Sequence, residues 1–292
     1  MRKGILALIV GIAFLYQSCG ETKHNQDNNV DVNATVESDG MGEEMQSNPP
    51  TLDIVFPSPL QVASIFKRSG LTYIENITND PKKIESYDSR MSKSFNFGVY
   101  GADLSYCVLN NQTQKALDYL NNVKQLSHDL GIATVFQADD LFTTFEKNMG
   151  NEDSMIYVIA SIQERLDNYL QKNEMDHMST IYFTGGWIEA MYMGSRVLEA
   201  SEDAKLTQHM LEQTLLLETI VRALDRNPHN TDPLVSEIHK DMKEFDTLVK
   251  SFEYIKGRDI EDIPIDEIAL TDEEVKKLIE MTGKIRSKII NS

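Results

Sequence analysis

Two stretches rich in glycine and aromatic residues carry the side chains best suited to chemistry. Residues 95–106 hold Asp103, and residues 182–192 hold Glu189. Both stretches are apolar on nearly every side, which predicts burial, and neither acid has a basic residue within four positions. A buried carboxylate must be hydrogen-bonded, paired with a cation or protonated. These two acids are therefore the first candidates for a functional site.

The glycines in these stretches would let two helices approach closely and bring the acids together with aromatic side chains. The residues expected to line such a ligand pocket are Asp103, Glu189, Tyr100, Tyr106, Trp187 and Tyr192. We favour the structural interpretation of the same residues, because buried acids commonly accept hydrogen bonds from tyrosine hydroxyls or helix amino ends. A retaining glycosidase would need two acids about 5 Å apart in an open cleft, and no sequence feature indicates a cleft.

No other pattern predicts a catalytic set, a metal or a cofactor. The only Glu-x-x-His spacing, from Glu174 to His177, lies in a predicted turn, and a di-iron bundle needs two such motifs plus two further acids. Cys107 lies in an apolar stretch with no histidine nearby, which is typical of a buried, inert thiol. Nucleophile-elbow, phosphate-loop and dinucleotide motifs are absent from the sequence. The sequence favours a protein that is not an enzyme.

The elements that must position the two acids are helices. Apolar residues recur at helical spacing, with start and stop signals, in segments that we place at 58–70, 80–109, 111–130, 152–171, 180–198, 205–224, 233–256 and 272–290. The segment 80–109 is expected to be two helices with a break near Ser94 or Gly98. The predicted fold is therefore all-α, an irregular multi-helix bundle or an array of helical hairpins with about nine helices. Asp103 and Glu189 each stand three residues before a tyrosine. This similarity leaves open whether the domain consists of two related halves.

Composition limits the classes of function. The chain has 292 residues, with 28 Lys and Arg against 46 Asp and Glu, so its formal charge is −18. A protein this acidic repels phosphate backbones, which argues against nucleic-acid binding. With 41% hydrophobic and 25% charged residues, the composition is that of a globular protein. We expect residues 52–292 to form a single α-helical domain, preceded by an extended lead-in at residues 52–56 that docks onto the helices.

The amino-terminal residues have the layout of a secretory signal peptide. Arg2 and Lys3 precede an uncharged, mostly apolar run over residues 4–16. A helix of that length reaches only about 20 Å, which is short of the ~30 Å hydrocarbon core, so residues 1–18 are predicted to be removed. The run ends in Ser18-Cys19, which resembles the lipobox of bacterial lipoproteins. That resemblance implies three acyl chains on Cys19 and an effectively permanent anchor; an ordinary secreted protein is the alternative.

Residues 19–51 differ in composition from the rest of the chain. Between residues 20 and 50 there are seven acidic residues, one lysine and almost no large apolar side chain. Such a segment cannot bury enough surface to fold, so we expect a disordered acidic tether with a mean span of about 30 Å. The predicted location is the cell envelope, with a lipid anchor in the outer membrane. Because Glu21 stands alone near Cys19, the sequence leaves open whether the body faces the periplasm or the surface.

Together, the lipoprotein start and two phrases resemble a family of uncharacterised all-helical lipoproteins of Bacteroidota. The phrases are Asn96–Tyr106 and Gly185–Tyr192. The resemblance implies a helical, lipid-anchored envelope protein and implies no activity or catalytic residues. Our leading hypothesis is a non-enzymatic binding or scaffolding protein, held to the membrane by lipid, whose partner is an envelope protein or a small molecule. The alternative is an envelope hydrolase or lyase, for instance one acting on glycans, that uses Asp103 and Glu189.

Two tripeptides resemble the short O-glycosylation motif of Bacteroidota. They are Asp153-Ser154-Met155 and Asp246-Thr247-Leu248. The second lies inside a predicted helix, so only Ser154, near a predicted helix start, is a reasonable modification site.

Overall fold

The computed structural model describes residues 56–68, 73–137, 141–200, 204–258 and 270–292. In these ranges the chain forms α-helices and no strand, so the all-α prediction is confirmed. The elements are α1 (Pro59–Arg68), a 3-10 helix (Pro81–Ser86), α2 (Arg90–Leu109), α3 (Thr113–Asp129), α4 (Thr134–Gln137), α5 (Leu141–Lys147), α6 (Glu152–Lys172), α7 (Asp176–Ala200), α8 (Ala204–Thr214), α9 (Leu217–Asp225), α10 (Pro233–Lys250) and α11 (Asp272–Ile290). The predicted signal peptide, Cys19 and the tether lie outside the described residues.

Two of the predicted helix starts have the expected caps. At α11, the Thr271 hydroxyl accepts from the Glu274 amide, and the Glu274 carboxylate accepts from the Thr271 amide at 2.9 Å, which is a capping box. At α10, the Asp232 carboxylate accepts from the Leu234 amide at 2.9 Å, and Pro233 fills the first helical position. These local signals fix where both helices begin.

Helix boundaries differ from the prediction in several places; α10 ends at Lys250 where residue 256 was expected, and α7 begins at Asp176 where residue 180 was expected. The break expected near Ser94 or Gly98 is wrong, because α2 is continuous and the interruption falls before it, where Ser89 caps the helix. The segment 205–224 is two helices, α8 and α9, with a turn at 215–216. Short helices α4 and α5 add to the count, so the described residues contain eleven α-helices where about nine were expected.

The centre of the fold is the crossing of α2 and α7, which share the most extensive contact between helices in the described residues. A Cβ placed on Gly98 would lie 2.8 Å from the Gly186 nitrogen, and one on Gly185 would lie 2.9 Å from the carbonyl carbon of Phe95. No side chain fits there, so the two backbones touch. Around this pair, α3 packs on α2, α11 packs on α7, and α1 contacts both.

The chain enters this body at the same crossing. Phe56 stacks on Phe183 of α7 with ring centroids 4.2 Å apart. Pro59 Cγ would lie 3.5 Å from a Cβ on Gly186 and 3.9 Å from one on Gly101, so the start of α1 covers the glycines. The predicted docking of the lead-in is therefore seen at Phe56, while residues 52–55 lie outside the described ranges. Residues 52–292 group into one compact unit.

Candidate functional site

Both predicted acids lie in the core just beyond the helix crossing. Asp103 stands five residues after Gly98 on α2, and Glu189 stands three residues after Gly186 on α7. Each has an exposed fraction of zero. The two carboxyl groups are close enough to interact with each other. Two charged carboxylates cannot share a dry site without a counter-ion or a proton.

The counter-ion is Arg286 of α11, which the sequence analysis did not predict. Its Nε donates to Glu189 Oε2 at 2.6 Å and its Nη2 donates to Oε1 at 2.8 Å, a bidentate pair. The guanidinium also lies 4.1 Å from the ring centre of Tyr192 and donates to the Ile77 carbonyl at 3.2 Å. Burial disfavours its charge, but the Glu189 charge and hydrogen bonds outweigh this and raise the pKa of Arg286. Glu189 is thus a fully paired anion.

Asp103 is the carboxyl group whose surroundings favour the protonated form. Burial, together with the negative charge of Glu189, raises the pKa of Asp103 well above its ordinary value of 3.8, although Arg286 opposes the shift. Its Oδ2 accepts from the Asn79 amide at 3.3 Å, while its Oδ1 has no donor. A protonated Asp103 resolves this, because its hydroxyl then donates to Glu189. This arrangement predicts a neutral Asp103 beside the ion pair of Glu189 and Arg286.

The space around this centre is filled by the chain itself. Residues 74–81 run over it, without regular structure as far as Asp80 and entering the 3-10 helix at Pro81, and their backbone groups bond to buried side chains. Five such bonds join Tyr106 Oη to the Ile74 amide (2.7 Å), Arg286 Nη2 to the Ile77 carbonyl (3.2 Å), Tyr119 Oη to the Asn79 carbonyl (2.7 Å), Tyr100 Oη to the Asp80 carbonyl (3.0 Å) and Asn122 Nδ2 to the Pro81 carbonyl (2.9 Å). We call residues 74–81 the inner strap.

The six predicted pocket residues therefore divide into three groups. The buried centre contains Asp103 and Glu189, and Tyr192 joins it through its contact with Arg286. Tyr100 and Tyr106 hold the inner strap. Trp187 faces elsewhere: its ring lies 6.0 Å from that of Phe245 on α10, and its indole nitrogen has no hydrogen-bond partner. The strap occupies the position where a ligand was expected.

The other side chains considered for chemistry take structural positions. Burial raises the pKa of the Cys107 thiol, so it stays protonated and unreactive. Glu174 sits in the turn between α6 and α7 with a φ of 56°, and His177 lies in the first turn of α7. No group of three or more metal-ligating side chains is found in the parts of the chain that the structure describes. Likewise, none of the described helices is long and apolar enough to cross a membrane.

The two tripeptides that resemble the O-glycosylation motif lie in different structural environments, as their positions predict. Ser154 is half-buried in the first turn of α6, where its amide donates to the Asn151 side chain at 3.0 Å. Thr247 lies inside α10, and its hydroxyl donates to the Lys243 carbonyl at 2.8 Å. The hydroxyl of Thr247 is therefore engaged by its own helix.

A polar groove lies between residues 76–85 and α3, and we call it the outer groove. Its volume is about 890 Å³. Asn79 joins it to the buried centre, because this residue lines the groove while its backbone amide donates to Asp103. Sequence analysis missed the groove, since residues 76–85 show no periodicity and its α3 side chains belong to an ordinary solvated helix face.

No protein-family model, curated protein or solved structure matches this chain. The fold and the buried centre are therefore described from this chain alone. The resemblance to helical lipoproteins of Bacteroidota stays a prediction.

The protonation of Asp103 predicts how stability depends on pH. Because its pKa is raised on folding, the folded state keeps a proton that the unfolded state loses above about pH 4, so this group lowers stability as pH rises. Asp103→Asn mimics the protonated form and keeps a donor for Glu189. We expect the variant to be at least as stable as wild type at pH 7, with a flatter dependence on pH.

Urea unfolding between pH 4 and 8 measures this effect. Asp118→Asn, an exposed change on α3, is the matched control and should follow the wild-type curve. An Asp103→Asn variant that loses more than about 2 kcal/mol at pH 7, or keeps the wild-type slope, would show that Asp103 is charged in the folded protein.

Proposed function

We propose that this protein is a non-enzymatic binding protein of the bacterial envelope, anchored by lipid at Cys19. The observation that carries the anchor is the order of sequence signals: a basic start, an apolar run over residues 4–16, then Ser18-Cys19. The polar, acidic composition of residues 20–50 supports a tether between that anchor and the helical body. The phrases Asn96–Tyr106 and Gly185–Tyr192 support the resemblance to helical lipoproteins.

The buried centre argues against catalysis by Asp103 and Glu189. Glu189 has no exposed surface and both of its oxygens accept from Arg286. Asp103 also has no exposed surface and lies beneath the inner strap. A glycosidase acid pair must reach the scissile bond from an open cleft. Two acids covered by the chain's own backbone do not meet that need.

The anchor is tested by Cys19→Ala. We expect wild type to sediment with membranes and the variant to move to the soluble fraction, because three acyl chains supply nearly all of the membrane affinity. Mass spectrometry of the mature amino terminus should show acyl chains on Cys19. Ser18→Ala is the matched control, since it keeps a small residue before the cysteine and should leave the protein membrane-bound.

Three results would overturn the anchor. They are a Cys19→Ala protein that stays with membranes, an unmodified amino-terminal peptide in wild type, and an intact precursor. Any of them would also remove the assignment to the envelope.

The near-isosteric variant Asp103→Asn distinguishes the enzymatic alternative from a non-enzymatic binding protein. Turnover of envelope glycans that is present in wild type and lost in a fully folded Asp103→Asn protein would favour a hydrolase or lyase. A change in stability alone would mark Asp103 as structural.

A further inference from the structure

We propose that the outer groove binds an uncharged saccharide. This inference deepens the proposed function by giving the binding protein a site and a class of ligand. Its floor is formed by buried side chains of the inner strap, the 3-10 helix and α3, among them Asn79, Ile84 and Tyr119. A volume of about 890 Å³ lies within the range of small-molecule sites.

The lining of the outer groove has the chemistry that hydroxyl groups need. Five of the residues that line it carry side-chain amides, and those of Asn76, Asn121 and Gln125 are exposed, while those of Asn79 and Asn122 are bonded within the protein. An amide both donates and accepts, and so does a sugar hydroxyl, so the two kinds of group pair in either direction.

Charge in the outer groove is nearly balanced, which selects against ionic ligands. Three acids, Asp80, Glu85 and Asp118, face two lysines, Lys82 and Lys115, in a chain whose formal charge is −18. The local surplus of one negative charge is too small to hold a cation, and it repels anions weakly. Carboxylates and ammonium groups also bond to neutral hydroxyls.

Asn79 links the outer groove to the buried centre. Only 2% of the residue is exposed, its Nδ2 donates to Tyr87 Oη at 2.8 Å, and its carbonyl accepts from Tyr119 Oη at 2.7 Å. Its Oδ1 has no partner, although buried amide oxygens almost always accept a hydrogen bond. That oxygen is itself buried, so a ligand in the groove meets the residue but not this oxygen. The bonds at Asn79 hold this wall of the groove in place before any ligand arrives, which favours binding.

A peptide fits the outer groove less well than a saccharide. Extended peptides bind by adding to a strand edge or by placing side chains in apolar pockets. The described residues contain no strand, and the groove has only Pro81, Ile84 and Tyr119 as apolar lining. The amides would leave most peptide side chains without a partner.

The test uses the full chain, solubilised in detergent, on an array of neutral, sulfated and uronic-acid oligosaccharides. The neutral glycan that binds best is then titrated by calorimetry against Asn121→Ala/Gln125→Ala. Both residues are exposed on α3, so folding should be unaffected. Loss of two hydrogen bonds should weaken binding about tenfold or more. Gln114→Ala/Gln171→Ala removes two exposed amides outside the groove and should bind like wild type.

A second measurement locates the ligand independently of the variants. In amide NMR spectra, the same neutral glycan should shift the side-chain signals of Asn79 and Asn122 and leave that of Gln171 unchanged. The proposal is overturned if no neutral glycan binds, if only charged glycans bind, or if both double variants bind equally. None of these results affects the Cys19 test, so the anchor and the saccharide site stand or fall separately.

Discussion

Arg286→Met should lower the free energy of unfolding by about 3–5 kcal/mol, the largest loss that we expect from a change of charge. The substitution leaves Glu189 as a buried anion with no counter-ion, next to Asp103, and removes the donor to the Ile77 carbonyl. Methionine fills a similar volume, so the loss reflects the charge and its hydrogen bonds. Denaturant unfolding at pH 7 gives the value.

Lys277→Met is the control on the same helix. That lysine is 48% exposed and its nitrogen lies 3.8 Å from Glu273, so its removal should change stability by less than about 0.5 kcal/mol. Should Arg286→Met fail to fold, Arg286→Lys keeps the charge, loses the bidentate geometry and gives an intermediate loss. A stability for Arg286→Met within about 1 kcal/mol of wild type would contradict a buried ion pair at the centre.

Gly98→Ala should destabilise the protein by about 3 kcal/mol or more, because its Cβ would meet backbone rather than a movable side chain. The new methyl would lie 2.8 Å from the Gly186 nitrogen, and helix α2 would have to move away from α7. Gly185→Ala meets the Phe95 backbone and should behave alike. The thermal midpoint and the urea midpoint should both fall.

Two other helical glycines give matched controls. At Gly101 the nearest atom to a new Cβ is Pro59 Cγ at 3.9 Å, an ordinary contact, and at Gly283 no atom lies within 4 Å. Alanine at either position should be neutral or gain up to about 1 kcal/mol from helix propensity. If Gly98→Ala is as stable as these controls, the two backbones do not touch at the crossing.

Much of the fold could be predicted from local signals. Periodic apolar positions identify α3, α6 and α11, because each of these helices buries one face and exposes the other, and a capping box also marks the start of α11. The predicted helix boundaries were wrong where that pattern is absent. Helix α2 is buried on nearly all sides, so its glycines look like a break when they are in fact the contact with α7. The possibility of two related halves remains a prediction.

The buried centre could be predicted only in part. Asp103 and Glu189 stand out because an acid in an apolar stretch needs a partner. Arg286 does not stand out in the sequence, because it lies 97 residues from Glu189 in a helix with several exposed basic residues. The inner strap is equally hidden, because irregular backbone held by distant side chains leaves no period in the sequence. Long-range hydrogen bonds were therefore the missing information.

The packing of Phe56 and Pro59 against the crossing of α2 and α7 has a mechanical consequence. A pull on the chain ahead of residue 56 reaches the body through the Phe56–Phe183 stack and through Pro59, which rests on the glycines where α2 and α7 touch. Tension therefore arrives where the described helices share their most extensive contact and not at a peripheral junction.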